Sequence, residues 1–113
     1  MRKNTREVLK AWIAKEAKGS RGESISTDGS TIYSYNTALV EKTPDYSKEI
    51  EELHKLGYPE FSQDTFVFAT INTTKYSPTT SNQQNSIINY FEVNDMSYNE
   101  KINVPIGTRT LDY

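Results

Sequence analysis

The sequence lacks cysteine and contains one histidine among its 113 residues. Without cysteine the chain has no disulfide, no thiolate nucleophile and no Cys-ligated zinc or iron–sulfur site. The single histidine, His54, follows Glu51 and Glu52, but nothing in the sequence completes a metal-ligand set or a general-base arrangement around it. We therefore expect a non-enzymatic binding protein with no metal ion and no cofactor.

Long apolar runs are also missing. No stretch approaches the roughly 20 apolar residues that span a bilayer, and the N-terminal residues lack the apolar core of a signal peptide. Hydrophobic residues make up 35% of the chain, whereas Ser, Thr, Asn and Gln together account for 36 residues. A length of 113 residues fits one domain. We expect a single cytoplasmic domain over residues 1–113 that does not contact a membrane.

The net charge of −2 hides two segments of opposite sign. Residues 1–22 contain seven Lys or Arg and two Glu, whereas residues 41–64 contain seven Asp or Glu and three Lys. Either segment is able to attract a partner of opposite charge. The acidic segment has two open interpretations: it imitates the charge of a nucleic acid, or it is the solvated face of a short helix.

Residues 4–18 have the pattern of an amphipathic helix. Asn4 followed by Glu7 matches a capping box, and Gly19 is a typical C-terminal stop. Apolar side chains recur at helical spacing at Val8, Leu9, Trp12 and Ile13. On the opposite face the spacing brings together Lys3, Lys10, Lys15 and Lys18. These lysines are candidate electrostatic contacts; the alternative is a solvated face opposite the core.

The residues after this helix predict a β-hairpin and further strands. Residues 24–27 and 31–35 flank Asp28 and Gly29, a pair that type I′ turns prefer. Residues 38–40 continue the second strand or begin another one after a bend at Asn36. Residues 66–71 are nearly all apolar and indicate a central strand buried on both faces. Alternation over 102–106 predicts a late strand, which Pro105 places at a sheet edge.

Two further helices are expected. Residues 41–64 form an acidic helical insertion, begun by Thr43 and Pro44 and ended at Gly57. Thirteen of the 17 residues over 70–86 are Ser, Thr, Asn or Gln, and Thr80 with Gln83 matches a capping box that opens a third helix. Residues 92–113 are polar with scattered apolar positions, and we expect them to be loosely ordered.

Together these patterns predict an α+β fold. In this fold an N-terminal amphipathic helix packs on a small, mainly antiparallel sheet, and two short helices follow.

Two sequence blocks carry a family resemblance. Residues 27–39 (TDGSTIYSYNTAL) and 72–85 (NTTKYSPTTSNQQN) resemble small phage- and plasmid-borne proteins of unassigned function, which share an S-Y-G-T block and a Y-S-x-T-T-S-x-H-Q-N block. Asn36 stands in place of the glycine, and asparagine tolerates positive φ. Gln83 stands in place of the histidine, which removes an acid–base or metal role there. The resemblance implies a mobile-element context and no particular activity.

The strongest candidate site combines the turn near residue 35 with the polar segment. Its hydroxyls and amides supply hydrogen-bond donors and acceptors, and its tyrosines supply stacking faces. The candidate binding residues are Tyr35, Asn36, Lys75, Tyr76, Ser77, Thr79, Thr80 and Gln83. The alternative is structural: a strand-to-helix connection whose polar groups satisfy one another.

Two functions remain open at this stage. The first is a small phage-type protein that binds and modulates a host protein or RNA–protein complex, in the specific form of an inhibitor of bacterial immunity resembling anti-CRISPR proteins. The second is a module that binds RNA or single-stranded nucleic acid through the lysine-rich helix and the polar loop over 76–85. The sequence does not indicate an oligomeric state.

Overall fold

The computed structural model describes residues 2–19, 23–63 and 66–111. Three helices and five strands lie within these ranges: α1 (Lys3–Ile13), β1 (Ser26–Thr27), β2 (Thr31–Ser34), β3 (Thr37–Lys42), α2 (Ser47–Lys55), β4 (Ala69–Asn72), α3 (Pro78–Val93) and β5 (Tyr98–Lys101). None of the helices in this part of the chain has the length and apolar character needed to cross a membrane.

The five strands form one mixed sheet in the order β1-β2-β3-β4-β5. The first three pairings are antiparallel, and β5 pairs in parallel with β4. A parallel neighbour requires a crossover connection, and α3 supplies it. The predicted α+β class, with an N-terminal helix against the sheet, is confirmed.

Apolar clusters cover both faces of the sheet. The larger cluster joins α1 and α3 to strand residues, and its most buried large side chains include Trp12, Phe91, Leu9, Ile32 and Ile71. Successive residues of a strand point to opposite faces, so Tyr33 belongs to a second, smaller cluster with Ala38, Val104 and Leu111. The C-terminal segment therefore covers the face that the helices leave open.

Helix α1 differs from its predicted range at both ends. It begins at Lys3, so Asn4 lies inside the helix and does not cap it. It ends at Ile13, because Lys15 adopts a φ of 61°. At this point the loop between β1 and β2 packs against the backbone of Lys15. A Cβ on Gly29 would lie 2.9 Å from the Lys15 carbonyl carbon, a close approach that requires glycine. Lys15 and Lys18 are consequently not on the helix, and Lys18 instead bridges to β1.

The hairpin between β1 and β2 forms with a wider loop than a type I′ turn. Strand β1 ends at Thr27 and β2 begins at Thr31, which leaves three residues in the loop, and Asp28 does not have the positive φ that a type I′ turn requires. The Asp28 carboxylate instead accepts hydrogen bonds from the backbone N–H groups of Ser30 and Thr31, both at 2.9 Å, and from the Tyr33 hydroxyl at 3.1 Å.

These hydrogen bonds make the stability of the hairpin depend on pH. Burial alone would raise the pKa of Asp28, but the hydrogen bonds outweigh it and hold the pKa below its ordinary value of 3.8. Stability from the ionised carboxylate is present above the unfolded-state pKa and is lost as pH falls through the folded-state pKa. We expect Asp28→Asn to lower the free energy of unfolding by about 1 kcal/mol at pH 7, since this partly exposed group loses its charge-assisted bonds.

Urea denaturation of both proteins at several pH values checks this expectation. The difference between wild type and Asp28→Asn should shrink as the solution is taken below the pKa of Asp28. The exposed carboxylate of Glu60 provides the control variant Glu60→Gln. A difference that stays constant down to the acid limit would contradict the role given to the ionised carboxylate.

The middle of the chain contains a shorter helix and a shorter strand than predicted. Helix α2 begins at Ser47 after an uncapped Tyr46, three residues beyond the predicted Thr43–Pro44 start, and residues 41–42 belong to β3. Strand β4 covers Ala69–Asn72, so residues 66–68 precede it, and Phe68 is 42% exposed. The strand is interior, between β3 and β5, and Thr70 alone among its residues is only half-buried.

The C-terminal part departs most from its prediction. The late strand lies at Tyr98–Lys101 and not at 102–106, where Ile102 and Ile106 are 64% and 81% exposed. Within the segment expected to be loosely ordered, Val104 and Leu111 are buried. Helix α3 begins at Pro78, with Ser77 as its cap, so the predicted Thr80–Gln83 capping box does not form its start.

Candidate functional site

The first and third helices begin at the same end of the molecule. Gln83, in the second turn of α3, lines a cavity with Arg2 and Lys3 at the start of α1. Further along, the ring centroids of Trp12 and Phe91 lie 5.9 Å apart. The two helices therefore run in the same direction, and the positive ends of their dipoles are close together.

The turn between β2 and β3 lies at this same end. Ser34 pairs with Thr37, so Tyr35 and Asn36 form a two-residue turn, and the Ser34 hydroxyl lies 3.0 Å from the Thr80 hydroxyl of α3. The fold thus brings together two sequence regions that are more than 40 positions apart. The backbone N–H of Tyr35 also donates to the Ser24 carbonyl at 3.3 Å, which fixes the turn.

Tyr35 has an unusual backbone conformation. Its φ is 53°, and its side chain is 51% exposed. The positive φ falls on Tyr35 and not on Asn36, the residue expected to tolerate it. A left-handed conformation costs an L-residue with a side chain roughly 1–2 kcal/mol, so the fold holds an exposed aromatic ring on a strained turn.

One cation contacts this turn directly. Arg109 donates to the Asn36 side-chain oxygen at 3.4 Å, and its guanidinium carbon lies 4.1 Å from the ring centroid of Tyr33. Lys75 is exposed in the connection that leads to α3. We call the following set the basic end: Arg2, Lys3, Tyr35, Asn36, Lys75 and Arg109. Glu7 and Glu23, which line an adjoining cavity, limit it on one side.

The predicted residues at the start of α3 have mainly structural contacts. The Ser77 hydroxyl caps the helix by accepting from the Thr80 backbone N–H at 3.2 Å. Thr80 is 5% exposed, and Thr79 is half-buried. Gln83 is also 5% exposed and donates from Nε2 to the Ser24 carbonyl at 3.0 Å. Thr80 therefore joins α3 to β2 and Gln83 joins it to the segment before β1, and both leave little surface for a partner, whereas the exposed Ser77 is used within the helix start.

Tyr76 belongs to a network of buried polar groups. Its hydroxyl donates to the Val104 carbonyl and accepts from the Asn72 side-chain nitrogen at 2.9 Å. Asn72 is fully buried and also donates to the Ala38 carbonyl at 2.9 Å. Gln84 donates to the carbonyls of Asn72 and Thr74 at 2.7 and 2.9 Å. The polar segment largely satisfies itself, which favours the structural alternative for Tyr76.

The four predicted lysine contacts are separated. Lys3 is part of the basic end, and Lys10 is exposed in the middle of α1. Lys15 lies beyond the other end of the helix, near the partly buried amino group of Lys42, whose pKa is lowered by burial and by the charge of Lys15. The fold therefore provides no continuous face of four lysines on α1.

Sequence reasoning missed two members of the site. Arg109 lies 73 positions from its partner Asn36, and no local pattern links the two. Arg2 precedes the predicted helix start at residue 4, whereas α1 begins at Lys3 and Arg2 is the residue directly before it.

A small cavity opens beside the basic end. Its volume is about 210 Å³, and its lining consists of Arg2, Lys3, Asn4, Thr5, Ser24, Ile25 and Gln83. The first backbone N–H groups of a helix lack intrahelical acceptors, and no side chain caps those of α1. Across residues 2–19, 23–63 and 66–111, the buried side-chain nitrogen and oxygen atoms all have hydrogen-bond partners except Gln83 Oε1.

No group of three or more potential metal-ligating side chains occurs among the residues that the structure describes. His54 lies in α2, and its Nε2 is 2.6 Å from the Phe61 carbonyl oxygen, which makes it a contact within the insertion. Comparison of the chain with protein-family models, with curated proteins and with solved structures gives no match.

Proposed function

We propose that this chain is a non-enzymatic protein that binds and modulates a host protein or nucleoprotein complex through the basic end. The observation that carries the proposal is the conformation of Tyr35. Its positive φ is unfavourable for folding, and its half-exposed ring obtains little packing within the chain in return. Strain kept at an exposed aromatic residue is typical of positions that act on a partner.

The chemistry of the surrounding residues supports this proposal. Tyrosine and arginine are enriched among the residues that dominate binding energy at protein interfaces. Tyr35 precedes Asn36 in the turn, and the Asn36 side chain accepts a hydrogen bond from Arg109. The cations and the two adjacent helix starts favour a partner surface with negative charge. An RNA–protein complex offers such a surface.

The resemblance of residues 27–39 and 72–85 to phage- and plasmid-borne proteins supports a host target. In its specific form the proposal is an inhibitor of a bacterial immune complex, of the anti-CRISPR kind. Binding without catalysis requires association in stoichiometric amounts.

The substitution Tyr35→Asn tests the proposal, because stability and binding should respond in opposite directions. Asparagine adopts positive φ more readily than tyrosine, so the melting temperature should stay equal or rise. Affinity for the partner should fall by about tenfold or more, as for loss of an aromatic anchor worth about 2 kcal/mol at an interface. Affinity capture from host lysate, followed by quantification of the partner, measures binding, and thermal unfolding measures stability.

Tyr58→Ala is the matched control, because Tyr58 is 50% exposed and lies in the insertion, away from the basic end. Capture is repeated after nuclease treatment. Recovery of a protein partner that resists nuclease supports the proposal. Recovery of nucleic acid alone favours the module that binds RNA or single strands, and unchanged capture by Tyr35→Asn removes Tyr35 from the contact surface.

A further inference from the structure

We infer that a cleft on the sheet face opposite α1 and α3 binds the ammonium group of a primary amine. The cleft has a volume of about 350 Å³, which falls within the range of about 300–1,000 Å³ for small-molecule sites. Glu41, near the end of β3, lines it, whereas Tyr35 and Asn36 of the basic end precede that strand. The inference therefore goes beyond the proposed function and holds whether or not the basic end has a macromolecular partner.

The floor of the cleft is a row of three polar side chains on adjacent strands. Glu41 of β3 pairs with Thr70 of β4, and Thr70 pairs with Asn99 of β5. Paired residues of neighbouring strands point to the same face, and all three line the cleft. Thr70 is only half-buried although its strand is interior, so the sheet face is open above it. Strands about 4.8 Å apart place the carboxylate and the amide on either side of the Thr70 hydroxyl, within reach of one bound group.

The Glu41 carboxylate is held in place by neutral donors. Its oxygens accept hydrogen bonds from the Thr31 hydroxyl at 3.3 Å, from the Thr110 hydroxyl at 3.0 Å and from the Leu111 backbone N–H at 3.2 Å. A carboxylate has about four acceptor positions, so one is left for a ligand. The three donors also fix the orientation of the carboxylate before any ligand binds, which lowers the entropy cost of binding.

The charge of this carboxylate is not neutralised by a neighbouring cation. None of the ion pairs within the described residues involves Glu41. The amino group of the adjacent Lys42 lies on the other face of the sheet, 4.8 Å from the ring centroid of Trp12. Lys101 donates to the Leu111 carbonyl at 3.1 Å. A half-buried carboxylate without a paired cation favours a ligand that carries positive charge.

The remaining groups of the cleft select a primary amine among cations. No hydrogen bond within the described part of the chain involves the side chain of Thr70 or Asn99. An ammonium group has three N–H donors, which match one oxygen each from Glu41, Thr70 and Asn99. The rings of Tyr46 and Phe66, with centroids 4.7 Å apart, line the same cleft. Aromatic rings attract cations and also pack against the apolar part of an amine.

Titration of the whole protein with benzylamine, benzyl alcohol and benzyltrimethylammonium at equal ionic strength tests the inference. The alcohol has the same ring without the charge, and the quaternary ion has the charge without N–H donors. Amide chemical shifts of Thr70, Asn99 and Leu111 report binding at the site. We expect saturable binding of benzylamine, with the alcohol at least about tenfold weaker and the quaternary ion at least about fivefold weaker. Equal affinity for benzylamine and either other probe, or no saturable change in these amides, would overturn the inference.

Three variants assign the site to its residues. Glu41→Gln removes the charge at nearly constant size and should weaken benzylamine binding by about tenfold or more. Glu100→Gln is the matched control, because Glu100 is exposed, follows Asn99 in β5 and points to the other face; it should change the affinity by less than about twofold. Thr70→Val should weaken binding by about threefold or more. If Glu41→Gln does not fold, the three probes and Thr70→Val still decide the outcome, and unchanged affinity in Glu41→Gln contradicts the site.

N-acetyl-lysine methylamide distinguishes the two sources of a primary ammonium group, a free amine and a lysine side chain of another protein. It is titrated under the same conditions as benzylamine. Tighter binding than benzylamine assigns the site to a lysine side chain. Equal or weaker binding assigns it to a free amine.

Discussion

Replacing Trp12 with alanine should lower the free energy of unfolding by about 3–5 kcal/mol, the range for loss of a large buried aromatic side chain. Trp12 is fully buried between the helices and the sheet, and its ring packs against Phe68 and Phe91 at centroid distances of 5.7 and 5.9 Å. Its indole N–H donates to the Ser30 carbonyl at 2.7 Å. The Lys42 amino group lies 4.8 Å from the ring centroid.

The loss is large because one side chain joins three parts of the fold. Without the ring, α1 loses its aromatic contact with α3 and its hydrogen bond to the loop of the β1–β2 hairpin at the same time. A domain of this size has a total stability of about 5–15 kcal/mol, so Trp12→Ala should be marginally folded.

Urea denaturation followed by far-UV circular dichroism is the suitable measurement, because the variant lacks the only tryptophan. Ile13→Ala is the control on the same helix; Ile13 is 39% exposed, and its loss should cost less than about 1 kcal/mol. A loss below about 2 kcal/mol for Trp12→Ala would show that the helices do not depend on this ring.

Replacing Asn72 with alanine should lower the free energy of unfolding by about 2–4 kcal/mol, because it leaves several buried groups without partners. The Asn72 side chain donates to the Ala38 carbonyl and the Tyr76 hydroxyl and accepts from the Thr74 N–H, each at 2.9 Å. Alanine removes all three bonds and fills none of the space. These groups lie in the interior, where water does not readily replace the lost partner.

Two further variants test whether the loss of stability comes from the hydrogen bonds of this network. Asn85→Ala changes an exposed asparagine of α3 and should alter stability by less than about 0.5 kcal/mol. Tyr76→Phe removes one hydroxyl of the same network and should cost about 1–2 kcal/mol. If Asn72→Ala is as stable as Asn85→Ala, the polar segment is not the structural connection that its hydrogen bonds indicate.

The sequence was sufficient to predict elements whose patterns are local. The apolar spacing of Val8, Leu9 and Trp12 located the buried face of α1, and all three are buried. Asp28 and Gly29 located the first hairpin, although the loop proved longer than a type I′ turn. The α+β class followed from these local signals.

Features that depend on distant contacts could not be predicted in the same way. The end of α1 is determined by Gly29 passing close to Lys15, a contact between separate elements. Strand β5 has the sequence YNEK, which carries little strand signal, and it forms because β4 offers an edge. The burial pattern of these four residues alone would not have predicted a strand.

The candidate site was predictable only in part, because it too depends on contacts between residues that are distant in the sequence. Tyr35 and Asn36 were identified from a turn-like block, and Lys75 from its polar surroundings. The dense hydroxyls and amides of residues 76–83 attracted a functional interpretation, but Ser77, Thr80 and Gln83 are used mainly within the fold. Sequence alone does not distinguish a polar group that binds a partner from one that binds its own backbone.

The parallel pairing of β5 with β4 has a consequence for the order of folding. The two hairpins that connect β1, β2 and β3 close short loops, whereas Ala69 pairs with Tyr98 across the whole of α3. Loop-closure entropy disfavours that pairing until α3 has formed and shortened the intervening chain. Since Tyr76 holds the Val104 carbonyl just beyond β5, we expect the C-terminal covering of the sheet to form after α3, a helix to which it does not belong.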